Sequence, residues 1–194
     1  MAPSIQADAQ RFAFESQIRE CYGRCAYTHK THEKMAEECA TRLRCIKLAQ
    51  IALSALVTGG AIGVIFDRSS IFFPYATATL SIMLLMINSY VKDIDPGQMA
   101  QKHREVASDI WSIREAYMSL LADICDDSNT LPDMRNRRDD LQSRLHKIYR
   151  IAPNTNSKAY RKAQDALKNN EDLTFTDEEI DAFLPCPLKR TTKT

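Results

Sequence analysis

The sequence predicts an all-α membrane protein, in which a two-helix transmembrane hairpin is extended by a cytosolic helical bundle formed by N- and C-terminal helices. Two stretches in the middle of the chain carry no charge, and the segments around them place apolar residues at helical spacing. The 194 residues include only 5 Gly and 7 Pro, which argues against a β-rich or disordered chain. A mean hydropathy of −0.35 excludes a polytopic transporter.

The charge balance excludes a general affinity for polyanions. Lys and Arg together number 26 and Asp and Glu 25, so the net charge is +1. A chain without a global field is not expected to bind nucleic acid or acidic surfaces through electrostatics.

The N-terminal segment, residues 1–47, is predicted to form one long cytosolic helix that starts near residue 4 and runs straight into the first span. Two sets of residues recur every seven positions and form a helix stripe, or a weak coiled-coil seam. These are Ile18, Cys25, His32, Cys39 and Ile46, and then Tyr22, His29, Ala36 and Leu43.

The two uncharged stretches are Leu48–Phe66, with 19 residues, and Ser69–Val91, with 23. At 1.5 Å per residue each is long enough for the roughly 30 Å of a bilayer core. We predict a transmembrane hairpin over 48–91, with helices at about 48–66 and 70–91 and a tight turn near 67–70. The alternative is a buried hairpin in a soluble protein, but core helices normally keep one polar face.

The flanking charges predict the orientation. Basic residues stand on the outer sides of both spans, whereas the turn carries only Arg68; they are Arg42, Arg44, Lys47, Lys92, Lys102 and Arg104. The positive-inside rule therefore places both termini in the cytoplasm. All six cysteines then face the reducing side and are expected as free thiols: Cys21, Cys25, Cys39, Cys45, Cys125 and Cys186.

Residues 92–190 are predicted to form a cytosolic helical domain after a break at Asp95-Pro96-Gly97. Three of its helices are expected at Gln98 to about Asp126, Asp133–Ile151, and from a Ser157 cap to about Asn169. Thr176 and Glu179 fit a capping box for a last helix that ends at Leu184-Pro185. The tail 191–194 is expected to be frayed.

No residue pattern indicates catalysis. The chain lacks the dinucleotide, P-loop, nucleophile-elbow and zinc-protease motifs, so we predict neither an enzyme nor a cofactor. Cys21, Cys25, His29 and His32 resemble metal ligands, but one helix spreads the outer pair over about 16 Å. Small polar residues at a helix–helix contact are the better interpretation, and His103 and His146 stand alone in the sequence.

The spans themselves carry the informative pattern. Ala55, Gly59 and Gly63 repeat every four residues, which is typical of close helix packing in membranes. Polar residues form stripes on both spans and are candidates for lining a pore: Gln50, Ser54, Thr58, Thr77, Ser81 and Asn88. Either they hydrogen-bond within the hairpin and only hold it together, or several hairpins ring a water-filled pore. Two helices cannot enclose a pore, so any channel requires a homo-oligomer.

The architecture resembles the SLATT family, the SMODS and SLOG-associating two-transmembrane effector domains. A charged N-terminal helix, a two-span hairpin with a very short turn and a cytosolic helical extension are shared features. The closest likeness is C-terminal, together with Arg144, Ile148 and the Ala152-Pro153 break. It consists of Tyr160, Ala163, Ala166, Leu167, Glu171, Phe175, Thr176, Glu179, Ile180, Asp181, Leu184, Pro185 and Leu188.

The resemblance implies a pore-forming effector in antiviral defence, which perforates the inner membrane and causes abortive infection. It also implies a partner that makes or senses a nucleotide messenger, because this chain has no room for a separate sensor domain. The leading hypothesis is therefore an oligomeric membrane-perforating effector. The alternative is a membrane-anchored scaffold or signalling adaptor, and a weaker one is a metal- or thiol-responsive sensor built on Cys21, Cys25, His29 and His32.

Overall fold

The computed structural model describes residues 3–125, 130–170, 172–185 and 189–190, and within these ranges every regular element is a helix. The helices are α1 (Pro3–Phe66), α2 (Phe72–Ile94), α3 (Pro96–Cys125), α4 (Leu131–Ile151), α5 (Ser157–Lys168) and α6 (Asp177–Phe183). The all-α prediction is confirmed. The predicted tail 191–194, Glu171, Cys186 and Leu188 lie outside the described residues.

Helix α1 is one unbroken rod of 64 residues, as expected from the continuous periodicity. At 1.5 Å per residue it is about 96 Å long. Its first two thirds pack against other helices, and its last third, from Leu48 to Phe66, pairs with α2 alone to form what we call the hairpin (48–94).

The turn of the hairpin is short and held by a side chain. The Asp67 carboxylate accepts hydrogen bonds from the Ser69 backbone N–H at 3.2 Å and from the Ser69 hydroxyl at 2.7 Å. Helix α2 then begins at Phe72, two residues later than predicted. A carboxylate that satisfies a turn N–H in this way favours a compact reversal of the chain.

A single residue separates α2 from α3. Asp95 adopts a left-handed conformation with φ of 37°, and its carboxylate accepts the Gln98 N–H at 3.0 Å. Pro96 begins α3 directly, a position where the missing N–H costs nothing. The predicted break is therefore a one-residue corner.

Helices α3, α4 and α5 surround the N-terminal part of α1 in what we call the bundle (residues 8–47, 96–124 and 131–168). Helix α3 runs antiparallel to α1, since His32 meets His103 and Arg11 reaches the Ile124 carbonyl. The core comprises Phe14, Ile18, Cys21, Cys25, Val106, Ile110, Ile113, Tyr117, Leu120, Ile124, Met134 and Leu141. Burying such side chains supplies most of the stabilisation, at about 1.5–3 kcal/mol for each large one.

Helix α5 packs its buried alanines, Ala159, Ala163 and Ala166, against α1, and ion pairs add to this attachment. Lys158 pairs with Glu38 at 3.1 Å, and Lys30 pairs with Asp172 and Glu33, each at 2.9 Å. Burial lowers the pKa of Lys30, but its hydrogen bonds to the two carboxylates raise it by more, so it stays charged. The Lys158–Glu38 pair fixes the start of α5 on α1, and the Lys30–Asp172 pair holds the segment after α5 against the middle of α1.

The helix caps correct two predictions. Helix α4 begins at Leu131 rather than Asp133, because Thr130 caps it and Pro132 fits its first turn. Ser157 is not the cap of α5: the Asn156 side chain accepts the Ala159 N–H at 2.7 Å, and Ser157 is the first helical residue. The capping box of Thr176 and Glu179 at α6 is confirmed.

Candidate functional site: a membrane hairpin with one polar edge

The hairpin is apolar and uncovered. Two helical segments are long and apolar enough to cross a membrane, and no residue of either apolar window is buried. Ile51, Ile65 and Phe72 each expose about two thirds or more of their surface, at 67%, 69% and 73%. A soluble core hairpin would bury such side chains, whereas an exposed apolar surface of this extent is typical of contact with lipid.

The two helices pack through a seam with alternating steps of three and four residues. Leu53, Val57 and Val64 of α1 and Leu80, Leu84 and Ile87 of α2 are half-buried along it. This spacing is that of antiparallel helices with interlocking side chains. Where the two helices come closest together, glycines occupy the seam positions.

Gly60 and Gly63 allow α2 to approach. A Cβ at Gly60 would clash with the Thr77 hydroxyl, and one at Gly63 would lie 2.6 Å from the Phe73 ring. Sequence reasoning missed Gly60 because the motif of four-residue repeats selects Gly59 instead. Gly60 can be identified from the seam of three- and four-residue steps, because it follows the seam residue Leu53 by one heptad.

Ala55 and Gly59 lie on the face of α1 that turns away from α2. Both are exposed, and a Cβ at Gly59 would meet nothing within 4 Å. If Ala55 and Gly59 pack against a helix, that helix belongs to a second subunit, and this packing stays a prediction.

Gln50 and Asn88 meet across the hairpin. The Gln50 amide donates to the Asn88 carbonyl oxygen at 2.6 Å, near the end of the hairpin that joins the bundle. A bond between two amides satisfies groups that would otherwise be costly to place in lipid. Thr77, by contrast, is half-buried against Gly60, and its hydroxyl has no hydrogen-bond partner among the described residues.

The remaining three hydroxyls are exposed along one edge of the hairpin. Thr58 donates to the Ser54 carbonyl at 2.9 Å, and Ser81 donates to the Thr77 carbonyl at 2.8 Å. Ser54 and Thr58 follow Gln50 at one and two helical turns, and Ser81 precedes Asn88 by seven residues. Each therefore lies on the same side as the amide contact.

We call Gln50, Ser54, Thr58, Ser81 and Asn88 the polar edge. The opposite edge of the hairpin is mainly apolar, with exposed Leu56 and Met83, and the Thr79 hydroxyl on this edge donates to the Tyr75 carbonyl at 2.9 Å. The hairpin is therefore more polar along one edge than along the other, although residues 48–66 and 69–91 include no charged side chain.

A cation anchors the base of the hairpin. The Arg42 guanidinium lies over the Tyr90 ring, with 5.5 Å from Cζ to the centroid, and hydrogen-bonds the Tyr90 hydroxyl. An aromatic ring joined to a guanidinium is typical of the boundary between lipid and water.

The bundle contains a buried histidine cluster below this boundary. His32 and His103 expose 3% and 1% of their surfaces, and their Nδ1 atoms are 2.9 Å apart. His29 Nδ1 lies 2.9 Å from the Ala107 carbonyl oxygen. Burial, with the nearby His103 and His29, lowers the pKa of His32 to about 4, and burial lowers that of His103.

Cys21, Cys25, His29 and His32 share the face of α1 that packs in the bundle. Within the part of the chain that the structure describes, no three His, Cys, Asp or Glu side chains converge on a point that would hold a metal ion. The partner of His32 is His103 of α3, which sequence reasoning left alone because nothing local links positions 71 residues apart.

The comparisons with known proteins agree with this geometry. A family model described as SMODS and SLOG-associating 2TM effector domain family 4 matches residues 14–179, which include the whole hairpin and most of the bundle. The resemblance stated above is thereby confirmed. No curated protein and no solved structure matches the chain. The two apolar helices and the two-transmembrane family together indicate a membrane protein.

Proposed function

Because the chain belongs to the SMODS and SLOG-associating 2TM effector domain family, we propose that it perforates the inner membrane as a ring of several copies. The family supports a membrane effector role in the associated conflict systems. Our proposal has three parts. The chain perforates the membrane, a partner or a nucleotide signal activates it, and both termini lie in the cytoplasm.

The polar edge is the observation that carries this proposal. Five uncharged polar side chains line one side of the hairpin, whereas the other exposed Ser and Thr residues of its helices, Thr79 and Ser89, stand singly on other faces, and this side is not covered by α3, α4 or α5. Polar groups in lipid are stabilised when they face water or one another. Several hairpins that turn their polar edges to a common axis would satisfy them and enclose water.

The small-residue face supplies the contact between neighbours in such a ring. Ala55 and Gly59 point away from α2, roughly a quarter turn of α1 from Ser54 and Thr58. A neighbouring hairpin packed there by its α2 would place both polar edges on the same side. The interface is head-to-tail, and such an interface closes into a ring when the rotation between copies allows it.

Ion selectivity in this pore would be weak. The uncharged stretches contain no ionisable side chain, and strong selectivity requires charged rings or ordered carbonyls. We therefore propose that the pore dissipates the membrane potential without transporting one substrate, which suits an effector that arrests an infected cell.

The test is depolarisation of cells that co-express the chain with the sensor protein of its conflict system, measured with a potential-sensitive dye. Ser54→Leu fills the polar edge and Gly59→Leu fills the contact between copies, and both should abolish depolarisation. Thr79→Leu places the same side chain one helical turn before Met83, on the edge of α2 opposite the polar edge and away from Ala55 and Gly59 of α1, and serves as the matched control. Full depolarisation by Ser54→Leu and Gly59→Leu would show that the pore is assigned wrongly.

A second candidate is a membrane-anchored scaffold, favoured by the Gln50–Asn88 hydrogen bond. That bond and the Gly60–Thr77 contact close the hairpin on itself, as an anchor without a pore requires. Replacing the hairpin by an unrelated two-span anchor would then preserve function, whereas a perforating effector would lose it.

A further inference from the structure

A cavity lies in the bundle where α1, α3 and α4 meet, away from the hairpin. Its volume is about 260 Å³. The residues that line it are Cys21, Arg24, Tyr117, Gln142, Leu145, His146 and Tyr149. Small-molecule sites are typically concave, partly apolar and placed between helices of bundles, with a few convergent polar groups.

A buried hydroxyl without a strong hydrogen-bond partner forms part of its wall. Tyr117 exposes 0% of its surface, and apart from the adjacent Cys21 thiol its hydroxyl has no hydrogen-bond partner among the described residues. Burial raises the pKa of Tyr117, so the phenol stays protonated and can donate. The Cys21 thiol beside it is only a weak acceptor. Leaving a buried donor unpaired is unfavourable, and a ligand acceptor in the cavity would satisfy it.

The other polar groups of the lining are also donors. Arg24 and His146 bring a guanidinium and an imidazole, Gln142 brings an amide, and none of the described carboxylates lines the cavity. Arg24 Nη2 lies 3.6 Å from the Cys21 sulfur and 3.8 Å from the exposed Glu20 carboxylate, which does not itself line the cavity. Donors without a competing carboxylate favour an anionic group.

The rest of the lining is suited to a flat apolar body. Leu145 is half-buried, and Tyr149 presents a ring whose hydroxyl already donates to Thr28 at 3.4 Å. A neighbouring groove shares Gln142 and His146 and carries Lys147 and Arg150, with Asp139 at its far side. These cations extend the positive surface beyond the cavity mouth.

We propose that this cavity binds a small organic anion, with a flat ring between Leu145 and Tyr149 and a carboxylate or phosphate group held by Arg24, His146 and Tyr117. The proposal does not depend on perforation, since the cavity belongs to the bundle. A ligand there would contact three helices at once and stabilise their packing by an amount that grows with the logarithm of its concentration above Kd.

The test uses the full chain in detergent and ligand-observed NMR with three probes. Benzoate carries both the ring and the charge, benzyl alcohol carries the ring alone, and inorganic phosphate carries the charge alone. Saturable binding is expected for benzoate and should be at least about tenfold weaker for the other two probes. Arg24→Gln and Tyr117→Phe should each weaken benzoate binding about tenfold or more, because each removes a donor and keeps the approximate shape.

Arg19→Gln is the matched control, since Arg19 lies on the same helix, pairs with Glu15 and does not line the cavity. Circular dichroism of each variant shows whether the bundle is intact. Absence of benzoate binding, equal binding of benzyl alcohol or of phosphate, or unchanged affinity in a folded Arg24→Gln variant would each overturn the proposal.

Discussion

His32 and His103 share one hydrogen bond between their Nδ1 atoms, at 2.9 Å, in the interior of the bundle. One Nδ1 must donate and the other must accept, so the two neutral rings hold different tautomers. A proton added to the accepting nitrogen would turn the bond into a contact between two donors. A proton on Nε2 of the donating ring would leave the bond intact, so the bond excludes a doubly protonated pair and burial disfavours a singly protonated one.

The first prediction is that acid destabilises the bundle before its carboxylates titrate fully. An unfolded histidine has a pKa near 6.5, and His32 in the fold has a pKa of about 4. Between these values the unfolded chain binds more protons, so the free energy of unfolding falls as the pH falls. The loss from His32 should reach about 2 kcal/mol at pH 5. Denaturant titrations of the full chain in detergent measure it.

The control for this effect replaces both rings. In His32→Leu/His103→Leu, an apolar pair fills the space without a titrating group, and the loss between pH 6.5 and 4 should shrink accordingly. An unchanged pH dependence in that variant would show that this pair does not cause the effect.

The second prediction separates the two neighbouring glycines. Gly60→Ala should destabilise the hairpin by about 1–3 kcal/mol because the new methyl group overlaps the Thr77 hydroxyl. Gly59→Ala should leave the monomer unchanged, since its methyl group would meet nothing within 4 Å. Thr77→Ala should rescue Gly60→Ala. Unfolding in mixed detergent micelles measures the stability of all three variants. An equal loss of stability at both glycines would contradict the packing of Gly60 against Thr77.

The third prediction concerns the amide pair of the hairpin. Asn88→Leu should lower the free energy of unfolding more when Gln50 is present than when Gln50 has been replaced, because the Gln50 amide loses its partner in the single variant. A double-mutant cycle with Gln50→Leu should give a coupling of about 0.5–2 kcal/mol. Additive losses would mean that the two amides do not bond in the membrane.

The fourth prediction orders the reactivity of the thiols. Cys45 is exposed, whereas Cys25 is buried and burial raises its pKa to about 11. Because the thiolate is the reactive form, a maleimide should label Cys45 in the folded protein and spare Cys25 until denaturant is added. Mass spectrometry of peptides from both conditions identifies the labelled site. Early labelling of Cys25 would show that α1 and α3 separate readily.

Much of the fold was predictable because its signals are local. Uncharged stretches of bilayer length define the hairpin, and a capping box defines the start of α6. The cap of α5 was assigned one residue too late, since Asn156 and Ser157 both suit that position and only the backbone decides. The Cys125 side chain and Cys186 lie outside the described part of the chain, so their predicted free state is untested.

The site was less predictable because its contacts join distant parts of the chain. Which glycine meets α2, and which histidine meets His32, depend on the register between helices. That register follows from the length of the turn at Asp67 and from the one-residue corner at Asp95. Neither length can be read from the periodicity of a single helix.

The unbroken course of α1 has a mechanical consequence. The same rod carries Arg24 at the cavity, His32 in the histidine cluster and Gly59 in the hairpin, and the described helix contains no kink-inducing proline along this length. A twist imposed on α1 inside the bundle would therefore reorient Gly59 and the polar edge by a similar angle. Signals from the aqueous side would reach the lipid-embedded end as torsion, without any hinge between the two.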